Sequence, residues 1–380
     1  MPSRAADASL VGQPGSRAMI PTPAAVLDLD AFDRNVAKMA ARAKSAGLAL
    51  RPHAKSHKCS AIAHRQIAAG AVGICCAKLA EAEAMAAAGI GAILVTSPIA
   101  GAAQAERAAQ LAQTVPDFRI VVDHIDGAAE LGVAARGPIQ VLIDVDPGMG
   151  RTGVHDPAQA VEVFRAIAAQ PNLTFLGVQC YGGHWQHMEG GNARAAAVAD
   201  GMAYLTTVIA ALRQAGADIG VVTGGGTGTF EADAAQGVLT EVQAGSFAFM
   251  DREYRDALKE DADGAFEQAL AIAATVISAN HPKWVTVDAG LKAFATDGPL
   301  PAALTPKFAA SDYRFFGDEH GRLMRPPSGQ DGGQPVARGE RVDFVPPHVD
   351  PTLDRYDVIH FVRGDVLVEI APIEARGASQ

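Results

Sequence analysis

The sequence predicts an α/β protein. A closed (β/α)8 TIM-like barrel is expected over residues 20–265, followed by a β-rich domain over residues 266–380 on which residues 1–19 can pack. Three observations carry this expectation. Short, β-branched apolar runs recur about eight times and alternate with alanine-rich amphipathic segments. The 380-residue chain is 49% apolar and only 19% charged, enough to bury a large interior but long for one core. After residue 265 the helical pattern gives way to strand-like runs separated by turn residues.

The eight runs, in order, are "AVLDLD" (25–30), "LALRPHAK" (48–55), "VGICCA" (72–77), "AILVTS" (92–97), "RIVVD" (119–123), "IQVLIDV" (139–145), "LTFLGVQC" (173–180) and "IGVVTGGG" (219–226). Continuous apolar runs of this length suit parallel strands covered on both faces, and eight is the number that closes a barrel. Between them, "DAFDRNVAKMAARAKSAG" opens on Asp30 as a helix N-cap and ends at Gly47, and "DPAQAVEVFRAIAAQ" has the same form. Later, "LAIAATVISA", "KWVTVDAG", "DYRFF", "RVDFVPPHVD" and "DVIHFVRGDVLVEIAP" read as strands. The "RGD" at 363–365 reads as a hairpin turn, and "PPSGQDGGQP" (326–335) as a surface loop.

With 42 acidic against 32 basic residues, the formal net charge is −10, which opposes nucleic acid and anionic membranes as partners. The N-terminus lacks a signal-peptide core and no run approaches the roughly 20 apolar residues of a membrane span, so a soluble, cytoplasmic protein is expected. Cys59, Cys75, Cys76 and Cys180 have no zinc-ribbon spacing and read as buried, reduced thiols.

In such barrels chemistry sits at the carboxyl ends of the strands. The second run ends at Lys55, and Arg151 follows the sixth on "DPGMGRTGV". Tyr181, His184 and His187 follow the seventh, and the eighth flows into "TGGGTGTF" (223–230), a glycine loop suited to cradling phosphate. A strand-end lysine beside a phosphate cradle is what pyridoxal phosphate requires: an amine for its aldehyde and an anchor for its anion. His53 and His57 alternate with Lys55 in "RPHAKSHK", so all three are expected on one face of a strand, where they lower the lysine's pKa. In "VPPHVDP", His348 and Asp350 face the same way if extended, and they can hold one divalent ion with water or substrate oxygens. A loop histidine beside a turn aspartate is the plainer alternative. No role follows for Asp318, Glu319 or His320 in "GDEHG".

Taken in order, "RPHAKSHK", "DPGMGRTGV", "QCYGGHWQH", "TGGGTGTF", "EVQAGSFAFMD", "VDAGLK", "GDEHG" and "PPHVDPT" resemble the D-threonine aldolase and D-serine dehydratase family of fold-type III pyridoxal phosphate enzymes. The resemblance spans about residues 20–376. It implies an alanine-racemase-like barrel followed by a β domain, working as a homodimer. It makes Lys55 the cofactor-binding and catalytic lysine, and it places Arg151 and Tyr181 beside the cofactor ring. Thr223, Gly224, Gly225, Gly226 and Thr227 become the phosphate loop, His187 the base on the substrate hydroxyl, and His348 and Asp350 the metal pair. Dehydratases of this family resemble "HxC", suited to zinc, whereas the hard oxygen of Asp350 suits manganese or magnesium better than zinc. The implied activity is retro-aldol cleavage of D-β-hydroxy-α-amino acids, such as D-threonine to glycine and acetaldehyde. The rivals are a D-serine dehydratase or D-3-hydroxyaspartate aldolase or dehydratase and, from another class, a non-catalytic pyridoxal phosphate carrier. A carrier needs neither the β domain nor metal ligands.

Overall fold

The computed structural model describes residues 8–259, 266–325 and 336–380; the expected surface loop at 326–335 lies outside the described residues. The chain divides into two compact units. One comprises Ala37–Gly245 with Gly377–Gln380, and the other residues 8–36, Ser246–Lys259, 266–325 and 336–376.

The first unit is the barrel. Numbering strands from β1 (Ala24–Asp28), which belongs to the second unit, its parallel strands are β2 (Ala49–Leu50), β3 (Ile74–Cys76), β4 (Ala92–Val95), β5 (Asp117–Val122), β6 (Ile139–Val145), β7 (Leu173–Cys180), β8 (Val221–Gly224) and β9 (Glu241–Val242). They run in the order β2-β9-β8-β7-β6-β5-β4-β3. A parallel bridge between His53 and Cys75 joins the two ends of this order, with the Cys75 N–H donating to the Pro52 carbonyl at 2.8 Å. Inside, Cys75, Leu94, Val121 and Leu142 form one apolar cluster, with Leu176 and Val221 packed against it.

Helices α1 (Leu29–Ser45), α2 (Ser60–Ala68), α3 (Leu79–Ala87), α4 (Ala102–Thr114), α5 (Ile125–Ala134), α6 (Pro157–Ala168), α7 (Gly191–Gln214) and α8 (Phe230–Gln236) alternate with the strands. The start of α6 illustrates the local logic. The Asp156 carboxylate accepts from the Gln159 N–H at 2.8 Å, Pro157 opens the first turn, and Ala160, Val163 and Ile167 bury one stripe. By length and composition α7 is apolar enough to cross a membrane, contrary to the expectation that no run approaches that size. Its Val198, Met202, Leu205, Val208 and Leu212 are instead buried, and the helix packs against α6 and α8.

The second unit is built on a nine-stranded sheet. To β1 it adds β10 (Leu270–Ser278), β11 (Trp284–Val287), β12 (Ala302–Ala303), β13 (Tyr313–Phe315), β14 (Gly321–Met324), β15 (Arg341–Val345), β16 (Val358–Arg363) and β17 (Val366–Pro372). Two short helices, α9 (Arg252–Ala257) and α10 (Val349–Leu353), complete it. β1 runs antiparallel to β10, with Ala24 opposite Ala273, and parallel to β16, with Val26 opposite His360. Its core includes Ile20, Ala24, Val26, Ala273, Val362 and Leu367, with Leu10 packed against them. Gly364 and Asp365 form the two-residue turn between Arg363 and Val366, so the "RGD" is the expected hairpin.

Two barrel assignments therefore change. The run at 25–30, expected as the first barrel strand, is β1 of the second sheet; a buried strand leading into a helix has the same local pattern in either place. The eighth barrel strand is β9, whose polar Glu241 hides it from an apolar-run search.

Candidate active site

The sequence from β2 to Lys55 is not the continuous strand expected. β2 ends at Leu50, and Ala54–Ser56 form a single 3-10 turn, so His53, Lys55 and His57 do not alternate on one strand face. His53 organises the turn: its Nδ1 accepts from the Lys55 backbone N–H at 3.3 Å. The Thr96 hydroxyl donates to the Cys76 carbonyl at 3.2 Å, which leaves its oxygen to accept from His53 Nε2–H at 3.0 Å. These contacts select the neutral Nε2–H tautomer. His57 is fully buried and its Nδ1 accepts from the Cys59 N–H at 3.0 Å, a capping role. Lys58 lies 3.8 Å from the buried Glu81; burial raises that carboxyl above its usual range, against the opposing pull of the Ala77 N–H, Lys58 and Lys55.

Arg51 explains another cation of this crowded stretch. It is 1% exposed and its Nε donates to Glu241 at 3.0 Å, while Nη2 reaches Asp117 at 3.2 Å. Glu241 in turn accepts from the Thr223 hydroxyl at 2.9 Å. The Gln243 amide donates to Thr223 and to Gln179, each at 3.1 Å, and the Gln179 amide donates to Asp144 at 2.8 Å and to the Thr96 carbonyl at 2.9 Å. Asp144, Gln179, Thr223 and Glu241 are register partners across β6, β7, β8 and β9. One buried polar belt thus runs beneath the carboxyl ends of the strands and meets the Lys55 turn through Thr96 and His53.

The belt also holds the loop after β6, because Thr152 donates to Asp144 at 2.8 Å. That loop is folded over Asp146, which accepts from the N–H groups of Gly148, Met149 and Gly150. It carries Arg151, whose guanidinium lies 5.4 Å from the centroid of the Tyr181 ring in a cation–π arrangement. The structure therefore brings Arg151 and Tyr181 together at the end of the barrel that carries Lys55.

The glycine loop leaves β8 at the same end. Thr223 and Thr227 are buried, Gly225 is left-handed at φ 67°, and a Cβ on Gly228 would meet the Gln186 carbonyl at 2.1 Å. Glycine is required here by packing within the protein, since a Cβ on Gly224 would meet the Cys180 carbonyl at 1.9 Å and one on Gly226 the Gln186 amide at 2.4 Å. A loop without side chains over 224–226 at the Lys55 end of the barrel also suits a phosphate-bearing cofactor. The Gln186 amide locks the arrangement: the Gly228 N–H donates to its oxygen at 3.0 Å and its nitrogen donates to Thr229 at 3.0 Å. Exposed His187 is the next residue, so its loop is stapled to the glycine loop; His184 is exposed too and its ring lies against Trp185.

Beneath the loop, Asp233 is buried and accepts from the Thr229 hydroxyl at 2.6 Å, and burial pushes its carboxyl up to about 7. The folded protein therefore binds this proton more tightly than the unfolded chain. Its contribution to stability is fully present below the unfolded value of 3.8 and is lost as pH rises through about 7. The loss is on the order of 4 kcal/mol. Urea unfolding of wild type and Asp233→Asn at about pH 5 and about pH 8 is expected to show a smaller pH effect in the variant; equal slopes would refute it.

His348 and Asp350 lie in the second unit and are brought together, though not as two residues of a strand. His348 is the extended N-cap of α10 and Asp350 lies in its first turn, with Nε2 and Oδ1 4.0 Å apart. The other ring nitrogen, Nδ1–H, donates to Asp297 at 2.9 Å. Burial opposes the charge on His348, but Asp350, Asp297, Glu253 and Asp251 together raise its pKa. Asp251, fully buried, accepts from the N–H groups of Tyr254 and Val349 at 2.9 Å each, and burial raises its carboxyl. An imidazole and a carboxylate across this gap fit one divalent ion with open positions for water or substrate oxygens. No group of three or more metal-binding side chains occurs among the described residues.

The alanine racemase N-terminal domain model matches residues 27–253, and a second family model, named for serine dehydratase, matches residues 269–362. The chain is 40% identical to a D-threonine aldolase of an Arthrobacter species, over 97% of this chain and 96% of that protein. The chain belongs to the D-threonine aldolase family. The crystal structure of D-threonine aldolase from Filomicrobium marinum superimposes with a TM-score of 0.90 at 40% identity, covering 96% of this chain and 98% of that one. A 3-hydroxy-D-aspartate aldolase of Paracoccus denitrificans is 37% identical over 94% of this chain and 92% of that protein.

In this member of the D-threonine aldolase family, the buried polar belt beneath the Lys55 end of the barrel leaves no motif in the sequence. Thr96, Asp144, Gln179, Glu241 and Gln243 each lie in or beside an apolar run, where a polar residue looks like an interruption. A buried polar residue near the carboxyl ends of β4, β6, β7, β8 and β9 is the signal the sequence carries. Asp297 gave none, because it sits 51 residues from His348 in a loop.

Proposed function

We propose that the protein is a pyridoxal phosphate- and divalent-metal-dependent aldehyde-lyase that cleaves D-β-hydroxy-α-amino acids, taking D-threonine to glycine and acetaldehyde. What supports this most is the pairing of Lys55 with the bare glycine loop at one end of a barrel in a chain 40% identical to D-threonine aldolase along nearly its whole length. Lys55 supplies the amine that holds the cofactor aldehyde. Thr223, Gly224, Gly225, Gly226 and Thr227 hold its phosphate, and Arg151 and Tyr181 flank its ring. His348 and Asp350 hold the divalent ion, with manganese or magnesium suiting Asp350 better than zinc. When bound, the cofactor would supply an electron sink for the Cα carbanion and the ion would lower the pKa of the substrate hydroxyl.

His187 takes the proton of that hydroxyl. Replacing it with alanine is expected to leave the bound cofactor's absorbance intact and to slow cleavage by about 10²- to 10⁴-fold. Stopped-flow spectra and an aldehyde assay on the variant check this; wild-type turnover would remove His187 from the mechanism.

A second reading, cleavage of 3-hydroxy-D-aspartate, is supported by the 37%-identical relative, and dehydration of the same substrate class by a more distant one at 34%. Products discriminate. Incubation with D-threonine, L-threonine and 3-hydroxy-D-aspartate, with and without chelator, is expected to give acetaldehyde and glycine from D-threonine only with metal and nothing from L-threonine, and glyoxylate with glycine from 3-hydroxy-D-aspartate alone would favour the second reading. Cleavage of the L-form alone, or a keto acid and ammonia from the D-form, would overturn the aldolase assignment. The four free cysteines, all buried, suit a reducing compartment, and we place the enzyme in the cytoplasm as a homodimer.

A further inference from the structure

We propose that Asp297 is a positioning residue of the metal site: by accepting the Nδ1 proton of His348 it aims Nε2 at the ion shared with Asp350. The inference rests on the reading of His348 and Asp350 as metal ligands.

The argument begins with the imidazole. A histidine beside two carboxylates has two ring nitrogens to distribute, and only the one without a proton can bind a metal. Here Nδ1 lies 2.9 Å from Asp297 Oδ2, a good hydrogen bond, whereas Nε2 is 4.0 Å from Asp350 Oδ1, too long for one. The carboxylate of Asp297 can only accept, so Nδ1 carries the proton and Nε2 presents its lone pair towards Asp350. An outer carboxylate of this kind also raises the basicity of the ligating nitrogen.

Asp297 is 55% exposed, so a loose surface pair would be its ordinary role. Its loop argues otherwise. Ala295, two residues before Asp297, donates its N–H to the Thr352 hydroxyl at 3.0 Å, and Thr352 lies two residues beyond Asp350 in α10. Ala293, Phe294 and Ala295 are buried, and a Cβ on Gly298 would meet the Glu253 carboxylate at 2.7 Å. Arg252 donates to the Leu300 carbonyl at 3.1 Å from the other side. The loop is thus fastened to α9 and α10 on both sides of Asp297. From the opposite direction, buried Asp251 holds the Val349 N–H, the amide between the two ligands. Asp297 orients the ring and Asp251 the backbone.

The test measures manganese binding by electron paramagnetic resonance on the cofactor-loaded protein without substrate, so that it does not depend on activity. Asp297→Ala is expected to weaken manganese binding by about 10- to 100-fold. Asp297→Asn, whose side-chain carbonyl can still accept from Nδ1–H, is expected to recover affinity to within about fivefold of wild type. Circular dichroism should match wild type for both, because the side chain is half exposed. His348→Ala is the control and should lose binding outright. If Asp297→Ala binds manganese as wild type does while His348→Ala does not, the positioning role is wrong and the metal site stands. If His348→Ala keeps wild-type affinity, the metal site itself is wrong and the inference goes with it. Loss in Asp297→Asn as severe as in Asp297→Ala would also overturn the role, since the hydrogen bond would not be what matters.

Discussion

Lys55→Ala is expected to abolish the covalent link to pyridoxal phosphate and to reduce cleavage of D-threonine to background. The turn itself should survive, because the contacts that hold Ala54–Ser56 do not use the lysine side chain: the residue-55 N–H donates to His53 Nδ1, and the Ser56 hydroxyl donates to the His53 carbonyl at 3.1 Å. The loss would therefore be chemical rather than structural, since no amine would remain in that place to attack the aldehyde. Borohydride reduction of the wild-type holoenzyme followed by peptide mapping should mark Lys55. Recovery of the label on another lysine, or a variant that keeps the bound chromophore, would sink the assignment.

The largest expected effect on stability comes from Arg51→Ala. Arg51 and Glu241 are almost fully buried, 1% and 3% exposed, and Glu241 has Thr223 and Arg51 as its close partners, with Arg119 further off at 3.6 Å. Removing one partner of a buried pair leaves the other desolvated, at a cost of about 3–5 kcal/mol. Burial works against the charge on Arg51, but Glu241 and Asp117 outweigh it and raise its pKa, so the guanidinium stays charged at any working pH. Urea unfolding should show the midpoint falling with an unchanged slope. A loss below about 1 kcal/mol would mean that Arg119 substitutes for Arg51 across the belt. The double variant Arg51→Met with Glu241→Leu should be far less damaging than either single change, because no unpaired charge then remains buried.

These two residues also show what the sequence made legible. The barrel was readable because seven of its strands fall within the apolar-rich runs, as strands of a sheet covered on both faces do. Lys55, Arg151, Tyr181 and the glycine loop were readable because each follows such a run, and chain order alone carries them to one end of parallel strands. The role of Arg51 was not readable. Its partners at 117 and 241 become neighbours only on closure, and a cation four residues before the candidate lysine looks like part of the same device. The strand at Glu241–Val242 was lost for the same reason, since a charged residue in a two-residue strand has no periodicity to display. His348 and Asp350 are legible as a pair, but their spacing of two suggests an extended backbone, whereas a helix begins between them.

The placement of Ala24–Asp28 has a consequence for biosynthesis. This strand leaves the ribosome early, yet its pairing partners are Leu270–Ala273 and His360–Val362, close to 250 and more than 330 residues downstream. The barrel strands pair almost entirely with sequence neighbours and can assemble as they emerge, apart from the closing contacts at either end of the order. An apolar strand made well before either partner therefore waits unpaired until Leu270–Ala273 emerge, and is open to self-association over that interval. Holdase chaperones would have their longest opportunity on this strand, and nascent chains arrested before residue 270 should display it to limited proteolysis.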